Sequence, residues 1–524
     1  MGCQALSLRT PQPLKTLTLD GTSLTLEDLA PLVRGEDLRL RITREARAAV
    51  RHSRKFVDEI VRRGEVVYGV STGFGKLKSQ AIDPGDLAEL QANLILSHCV
   101  GVGEPMPLEE VRIAQVLRLN SLLRGYSGVR PSLVDALIRI FNAGFIPEVP
   151  RQGSVGASGD LAPLSHMAAA YMGYGHAWVN GKRRKSRAAL KIIGEKPLEF
   201  AAKEGLALIN GTEIMKATGV VTVLGAQNLS RAADAVASLT LEALLGSANP
   251  FQAILADIKD NDGQRRTSAN IRRCLASSRV LKSHVSCDRV QDPYSLRCIP
   301  QIHGAFKTAL EHVASVLSSE LNAITDNPII DPKSGDVFSA GMFHGQPLSV
   351  IQDYLGLSLA TIANVSERRI EQLVNPDLSH LPAFLATKPG LHSGLMIAQY
   401  TAAALASENK VLAHPASVDT IPTSANQEDH VSMGVTAVRK AHSILTNCEQ
   451  VVAIEWICAA QAREFNSEVR AGKGAQAAHD FLREHVPALD GDRYLHPDLI
   501  TARDLLKDGQ LVTAVVRAVK KLEA

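Results

Sequence analysis

The stretch from Thr212 to Ser247 constrains this chain more than any other. It is rich in Ala, Val and Leu, low in charge, and stops just before Asn249-Pro250. A helix that is apolar all round has to be covered on several sides, so the stretch predicts a buried strut in a helix bundle, inside an oligomer. Two further segments carry helical spacing. Phe306, Leu310, Val313, Leu317 and Leu321 recur at three- and four-residue steps; Leu348, Ile351, Leu355, Leu359, Ile362, Ile370 and Leu373 extend the pattern over a second long helix. Strand signals are sparse, and the best is AWVNGKRRK, where Asn180-Gly181 reads as a two-residue hairpin turn. The expected fold is mainly α. A long-helix bundle with C-terminal helices occupies 211–524, and a smaller N-terminal region, 1–210, carries the short β-hairpin and the glycine-rich loops.

Composition excludes several classes. With 57 basic and 54 acidic residues the formal charge is +3, which gives no reason to expect a nucleic-acid partner. The run Lys182–Lys185 is isolated, lacks interleaved aromatics and reads as a solvated hairpin tip. Seven scattered cysteines without a CxxC pair fit reduced thiols in a cytoplasm. With no HExxH and no zinc-like Cys/His spacing, no metal is expected. The N-terminus lacks the apolar stretch of a secretory signal, and Met1-Gly2 with Ser7 is too short a match to count as an acylation site. The uncharged windows 161–181 and 390–407 carry His, Ser, Asn or Gln among small residues, as packed core helices do, so no membrane partner is expected.

The chemistry concentrates in GSVGASGDLAPL, 153–164. A phosphate loop would need a Gly-Lys-Ser/Thr ending and would not place Asp160 against an anion. A hydrolase elbow, G-x-S-x-G, fits neither Ser154 nor Ser158. A structural reading has Ser158 or Asp160 capping a helix that begins near Leu161. A chemical reading uses the backbone. The amide nitrogen of Gly159 can close on the carbonyl carbon of Ala157 because neither residue adds bulk, and Ser158 can then lose water to become a methylidene. The product, 4-methylideneimidazole-5-one (MIO), is a carbon electrophile made without an external cofactor and suited to attack by an amine.

The same loop resembles the prosthetic-group loop of the aromatic amino acid ammonia-lyases. Similar blocks follow in order: YGVSTGFG (68–75), LILSHCVGVGEP (94–105), EGLALINGTE (204–213), RVQDPYSLRCIPQIHGA (289–305), NAITDNPII (322–330), FHGQP (343–347), SERRIEQLVNP (366–376) and ASENKVLAHPASVDTIPTSANQEDHVSM (406–433). The resemblance implies MIO formation from Ala157, Ser158 and Gly159. It also implies an all-helical homotetramer whose sites combine residues of three chains. Tyr68 corresponds to the catalytic base, which requires a site that stabilises phenolate, since a free phenol has a pKa near 10. Arg297 corresponds to the group that grips the substrate carboxylate, a task suited to a bidentate guanidinium. Asn210, Gln291 and Tyr294 match polar residues around the electrophile and the departing ammonia, and Phe343 matches an aromatic beside it.

Substrate choice is implied by the residues after LILS. Ser97-His98 resembles the histidine-acting members, and Glu428 and Met396 match residues lining the side-chain pocket. An imidazole both donates and accepts hydrogen bonds, so His98 together with Glu428 suits L-histidine, giving trans-urocanate; a substrate without ring nitrogens would leave them unpaired. Two departures stand out. Asp262 in DIKDNDGQ replaces other residues common before Gly-Gln, and FHGQP stands where some histidine-acting members have FHAEP. A tyrosine or phenylalanine lyase, a 2,3-aminomutase of the same family, and a helical assembly protein that never forms MIO remain alternatives.

Overall fold

The computed structural model describes residues 14–73, 80–284 and 290–524. Phe74-Gly75 of the Tyr68 motif, Arg289, the Met1-Gly2 pair, Cys3 and Cys287 lie outside them. The chain forms two compact units, one of Met1–Val220, Leu317–Pro347 and Asp419–Val435, the other of Val221–Val316, Leu348–Val418 and Thr436–Ala524. The first unit thus runs on to Val220 and takes in two further segments from the later part of the chain.

The first unit opens with two parallel strands, Lys15–Leu19 and Leu38–Ile42, connected through the helix Leu26–Val33. That helix starts on a reciprocal cap: Asp28 N donates to Thr25 Oγ1 at 3.2 Å and Thr25 N to Asp28 Oδ2 at 3.1 Å. The next helix, Arg44–Arg63, begins on a Thr43 cap, ends at Gly64 in the left-handed region, and buries Val50, Val57 and Ile60 along one face. At the centre runs Leu108–Leu123, buried from Glu110 onward except at Arg112. The hairpin forms as the sequence predicts. His176–Val179 pairs with Lys182–Lys185, and Asn180 (φ 52°) and Gly181 (φ 69°) supply the two positive φ angles of a tight antiparallel turn. The basic run is exposed, with Arg183 paired to Glu148.

The second unit is a helix bundle built around Ile299–Leu321, Gln346–Val374 and Gly434–Glu464. Every apolar position singled out on the Gln346–Val374 helix is buried, and so are Phe306, Leu310 and Val313. This helix is also long and apolar enough to cross a membrane, yet 67% of its most apolar window is buried inside the protein. The stretch predicted from Thr212 to Ser247 is a helix over Glu213–Ala243. Of its charges, Glu213, Lys216, Asp234 and Glu242 are buried and each has partners, while Arg231 is half-buried. In the second unit Asp234 accepts from Asn270 Nδ2 at 2.8 Å, meets His303 Nδ1 at 2.7 Å, and pairs with Lys307 at 3.1 Å.

Arg369 and Glu455 form a fully enclosed pair in the bundle, with neither side chain exposed. Glu455 accepts from Arg369 Nε at 2.6 Å and Nη2 at 2.8 Å, and also from Thr240 Oγ1 at 2.7 Å and Ser366 Oγ at 2.6 Å. Removing the guanidinium alone strands a carboxylate that was satisfied fourfold. Arg369→Ala is therefore expected to lower unfolding free energy by about 3–5 kcal/mol, read as a shift in urea midpoint; a loss below about 1 kcal/mol contradicts this role.

Candidate active site

The loop 153–160 is fixed at both ends. Met433 N donates to Val155 O at 2.9 Å, Ser432 Oγ to Gly156 O at 3.2 Å, and Asp160 N to Gly211 O at 2.7 Å. Between these anchors Ala157 and Gly159 are buried and Ser158 is half-buried. Gly159 has φ 76°, and a Cβ built there would overlap the Gly211 carbonyl. Only glycine permits this approach, so the nitrogen that would close a ring belongs to the one residue the space admits.

Ser158 opens into a cavity of about 550 Å³ that Tyr68, Asn210, Asn327, Phe343, Gln427 and Glu428 also line. Its hydroxyl donates to Glu428 Oε1 at 2.9 Å, and Thr423 Oγ1 donates to the other carboxylate oxygen at 2.7 Å. Asn210 is oriented by two bonds. Its Nδ2 donates to Asn327 O at 3.0 Å, and its own carbonyl accepts from Arg118 Nη1 at 2.8 Å. With Nδ2 so committed, Asn210 Oδ1 is left as a buried acceptor without a partner among the described residues. An orphan acceptor in a cavity wall is a place for a ligand N–H. Tyr68 precedes Gly69 (φ 71°), whose Cβ would lie 2.7 Å from Pro328 Cδ and 2.8 Å from Leu206 Cδ2. Glycine at 69 lets the Tyr68 turn seat against the wall that carries Asn327.

A buried charge network supports this wall. Arg118 pairs with Glu213 at 3.1 Å, Lys216 with Glu213 at 3.2 Å, and Lys203 with Asp326 at 2.7 Å. Asp326 Oδ1 accepts from Asn327 N at 2.7 Å, and Asn327 Oδ1 from Ala340 N at 2.7 Å. Burial works against ionised Glu213, yet Arg118 and Lys216 hold it below the usual carboxylate range. Asp160 goes the other way: burial first, then the neighbouring Glu213, push its carboxyl up to about 8.

The structure corrects one expectation. A helix does begin at Leu161, but neither Ser158 nor Asp160 caps it through its side chain. Asp160 Oδ2 instead accepts from Ile214 N at 2.7 Å and Met215 N at 3.2 Å, at the start of the long helix. Its backbone bond to Gly211 sets the carboxyl beside those free amides, and Ser158 is taken by Glu428.

Of the residues singled out in the sequence, Tyr68, Ser158, Asn210, Phe343 and Glu428 line the cavity, with Ala157 and Gly159 flanking Ser158 in the loop. His98 ends the helix Leu87–His98 in the same unit but is not among the lining residues; its Nδ1 meets Leu94 O at 2.7 Å, which places the ring proton there. Gln291, Tyr294, Arg297 and Met396 belong to the second unit. There the Arg297 guanidinium stacks on the exposed Tyr294 ring, 4.5 Å from its centre, and Arg297 Nε has no partner among the described residues. Asn327 and Gln427 were missed as cavity residues, although both stand inside blocks that carry the resemblance. Asn327-Pro328 by itself signals only a turn. Among the described residues no His/Cys/Asp/Glu group could hold a metal ion.

Ser158 has a carboxylate for its partner, and among the described residues that line the cavity there is no imidazole of the kind a serine hydrolase uses as base. A helical fold with a pinned Ala-Ser-Gly loop facing a carboxylate, an amide and a phenol is of the lyase type. The model of the aromatic amino acid lyase family matches residues 24–484. Histidine ammonia-lyase of Gloeobacter violaceus is 47% identical over 508 residues, covering 97% of this chain and 99% of that protein. The Alkaliphilus oremlandii histidine ammonia-lyase is 48% identical over 507 residues, covering 97% and 100%. Among solved structures, histidine ammonia-lyase from Trypanosoma cruzi aligns with a TM-score of 0.88 at 39% identity, covering 96% of this chain and 95% of that one. Tyrosine aminomutase from Streptomyces globisporus aligns at 0.91 and 34%, covering 97% and 100%. The chain belongs to the aromatic amino acid lyase family.

Asp160 gives the site a pH signature. Its folded pKa, about 8, lies above the ordinary 3.8, so the native state holds a proton that the unfolded chain releases. Stability contributed here therefore falls as pH rises between those values. Asp160→Asn removes the titration and is expected to flatten the fall of unfolding free energy between about pH 5 and pH 8; an unchanged slope in denaturant titrations contradicts the assignment.

Proposed function

We propose that this chain eliminates ammonia from L-histidine to give trans-urocanate, with Ala157, Ser158 and Gly159 matured to MIO. The observation that carries this reading is the meeting in one cavity of Ser158, set between Ala157 and Gly159 and bound to Glu428, with Asn210 and Tyr68. The closely similar histidine ammonia-lyases support the choice of substrate. The loop fits the group: bulk is excluded at Gly159, and Ser158 faces open space. When formed, MIO supplies a carbon electrophile that makes the substrate nitrogen a better leaving group.

The remaining work falls to side chains. Asn210 Oδ1 accepts an N–H of the substrate amine and fixes its direction. Tyr68 takes the β proton, which requires the cavity to favour phenolate. Glu428 accepts from the imidazole N–H, and His98 completes recognition of the ring; with Nδ1 protonated, its Nε2 is an acceptor. Arg297 binds the carboxylate bidentately, as a planar guanidinium can.

Gln291, Tyr294, Arg297 and Met396 reach the cavity from other copies in a homotetramer whose sites each draw on three chains. Exposed apolar side chains support this assembly: Val350, Tyr354 and Leu357 on one long helix, Ile397, Tyr400 and Val411 on another. The unpaired Cys99, Cys274, Cys298, Cys448 and Cys458 agree with a cytoplasmic location. The likeness to a tyrosine aminomutase favours a second reading, a tyrosine or phenylalanine lyase or 2,3-aminomutase.

A panel of L-histidine, L-tyrosine and L-phenylalanine, followed by ultraviolet absorbance of the products, separates these readings. Urocanate formation is expected, with Tyr68→Phe lowering kcat by about 10²–10⁴ while KM stays within a few-fold. Turnover of tyrosine or phenylalanine with histidine inert overturns the substrate assignment.

A further inference from the structure

In the unprocessed chain the Ser158 hydroxyl donates to Glu428 Oε1 at 2.9 Å. Maturation of the loop must break the Cβ–Oγ bond of Ser158. Hydroxide is a poor leaving group away from bulk water, so its expulsion needs an acid in contact with Oγ. Glu428 is that contact, and it is held from behind. Thr423 Oγ1 occupies Oε2 at 2.7 Å, and the two backbones bond reciprocally, Thr423 N to Glu428 O at 3.0 Å and Glu428 N to Thr423 O at 3.3 Å. Asp160, the carboxyl nearest in sequence, spends Oδ2 on the amides of Ile214 and Met215.

We propose that Glu428 is the acid that expels the Ser158 hydroxyl during maturation of the loop. The inference rests on the reading that the loop becomes MIO. First the Gly159 nitrogen bonds to the Ala157 carbonyl carbon, and that carbonyl oxygen leaves as water with the amide protons of Gly159 and Ser158. Next a water molecule carries the Ser158 Cα proton to the Glu428 carboxylate, and the electron pair left behind forms the Cα=Cβ bond. The Cβ–Oγ bond breaks as Glu428 passes that proton on to Oγ, which departs as the second water and leaves Glu428 a carboxylate again. Two waters are lost and nothing is oxidised or reduced. Departure of the hydroxyl removes the partner of Oε1, so the same oxygen becomes the vacant acceptor into which a substrate N–H fits. One carboxyl thus serves two successive tasks, and the second opens only when the first is complete.

The test is the mass of the proteolytic peptide that contains residues 157–159, read without reference to turnover. Glu428→Gln keeps the size and hydrogen-bonding capacity of the side chain but has no acid proton to give. Its peptide is expected to retain the Ser158 oxygen, with dehydration at least about tenfold slower than in the wild type, whose peptide is two waters lighter. Formate added to purified Glu428→Ala is expected to restore the missing loss of water. Circular dichroism establishes that each variant is folded. Should Gln at 428 prevent folding, Glu428→Asp, which keeps the acid, is expected to dehydrate slowly but completely. A folded Glu428→Gln whose peptide is two waters lighter at the wild-type rate overturns the proposal, as does a folded Glu428→Asp that never dehydrates. A wild-type peptide of full mass is a different failure, that of the MIO reading itself.

Discussion

The contact between Gly159-Asp160 and Gly211 is the constraint on which the rest of the site depends. One hydrogen bond, Asp160 N to Gly211 O at 2.7 Å, joins two loops that the sequence separates widely. It is possible only because residue 159 has no side chain. From this junction the geometry spreads both ways. Toward the loop it holds Gly159 beside Ala157 and turns Ser158 to Glu428. Toward the long helix it brings the Asp160 carboxyl to the amides of Ile214 and Met215, and it adjoins Asn210, a cavity-lining residue whose Oδ1 has no partner among the described residues.

Such a junction would be soft if the wall behind it could move. The chain stiffens it with ionised groups rather than apolar packing: Arg118, Glu213, Lys216, Lys203 and Asp326 are all buried and paired. Removing charges from water is costly, and arrangements of this kind add geometric definition more readily than stability. That exchange suits the proposed ring closure, which requires a backbone nitrogen within bonding reach of a carbonyl carbon. It also accounts for Asn210, which is held by Arg118 on one side and Asn327 on the other while its oxygen stays unpaired.

The parts of this fold that were legible in the sequence are those governed by local rules. The long helices follow from apolar spacing, and the hairpin from Asn180-Gly181, because a 3.6-residue period and a pair of positive φ angles are properties of neighbouring residues. The small size of the loop residues was legible for the same reason, since the lack of bulk at Ala157 and Gly159 is a property of two residues. What the sequence concealed arises from distance. Lys203 meets Asp326 across 123 positions and Ser158 meets Glu428 across 270. Nothing local marks Asn327 as a cavity wall, or tells Asp160 to cap the helix at Glu213 in place of the one beginning at Leu161. Buried Asp234 and Glu455 were equally invisible, because a charged residue in an apolar stretch does not reveal where its partner will be.

The central claim is that Ala157, Ser158 and Gly159 become an electrophilic carbon, and it is tested most directly by trapping that carbon with a hydride. The purified protein is treated with deuterated borohydride, digested, and its peptides weighed. The account expects deuterium on the peptide containing residues 157–159, in proportion to the loss of turnover, and none there in Ser158→Ala. Label absent from that peptide in a protein that turns over L-histidine would contradict it.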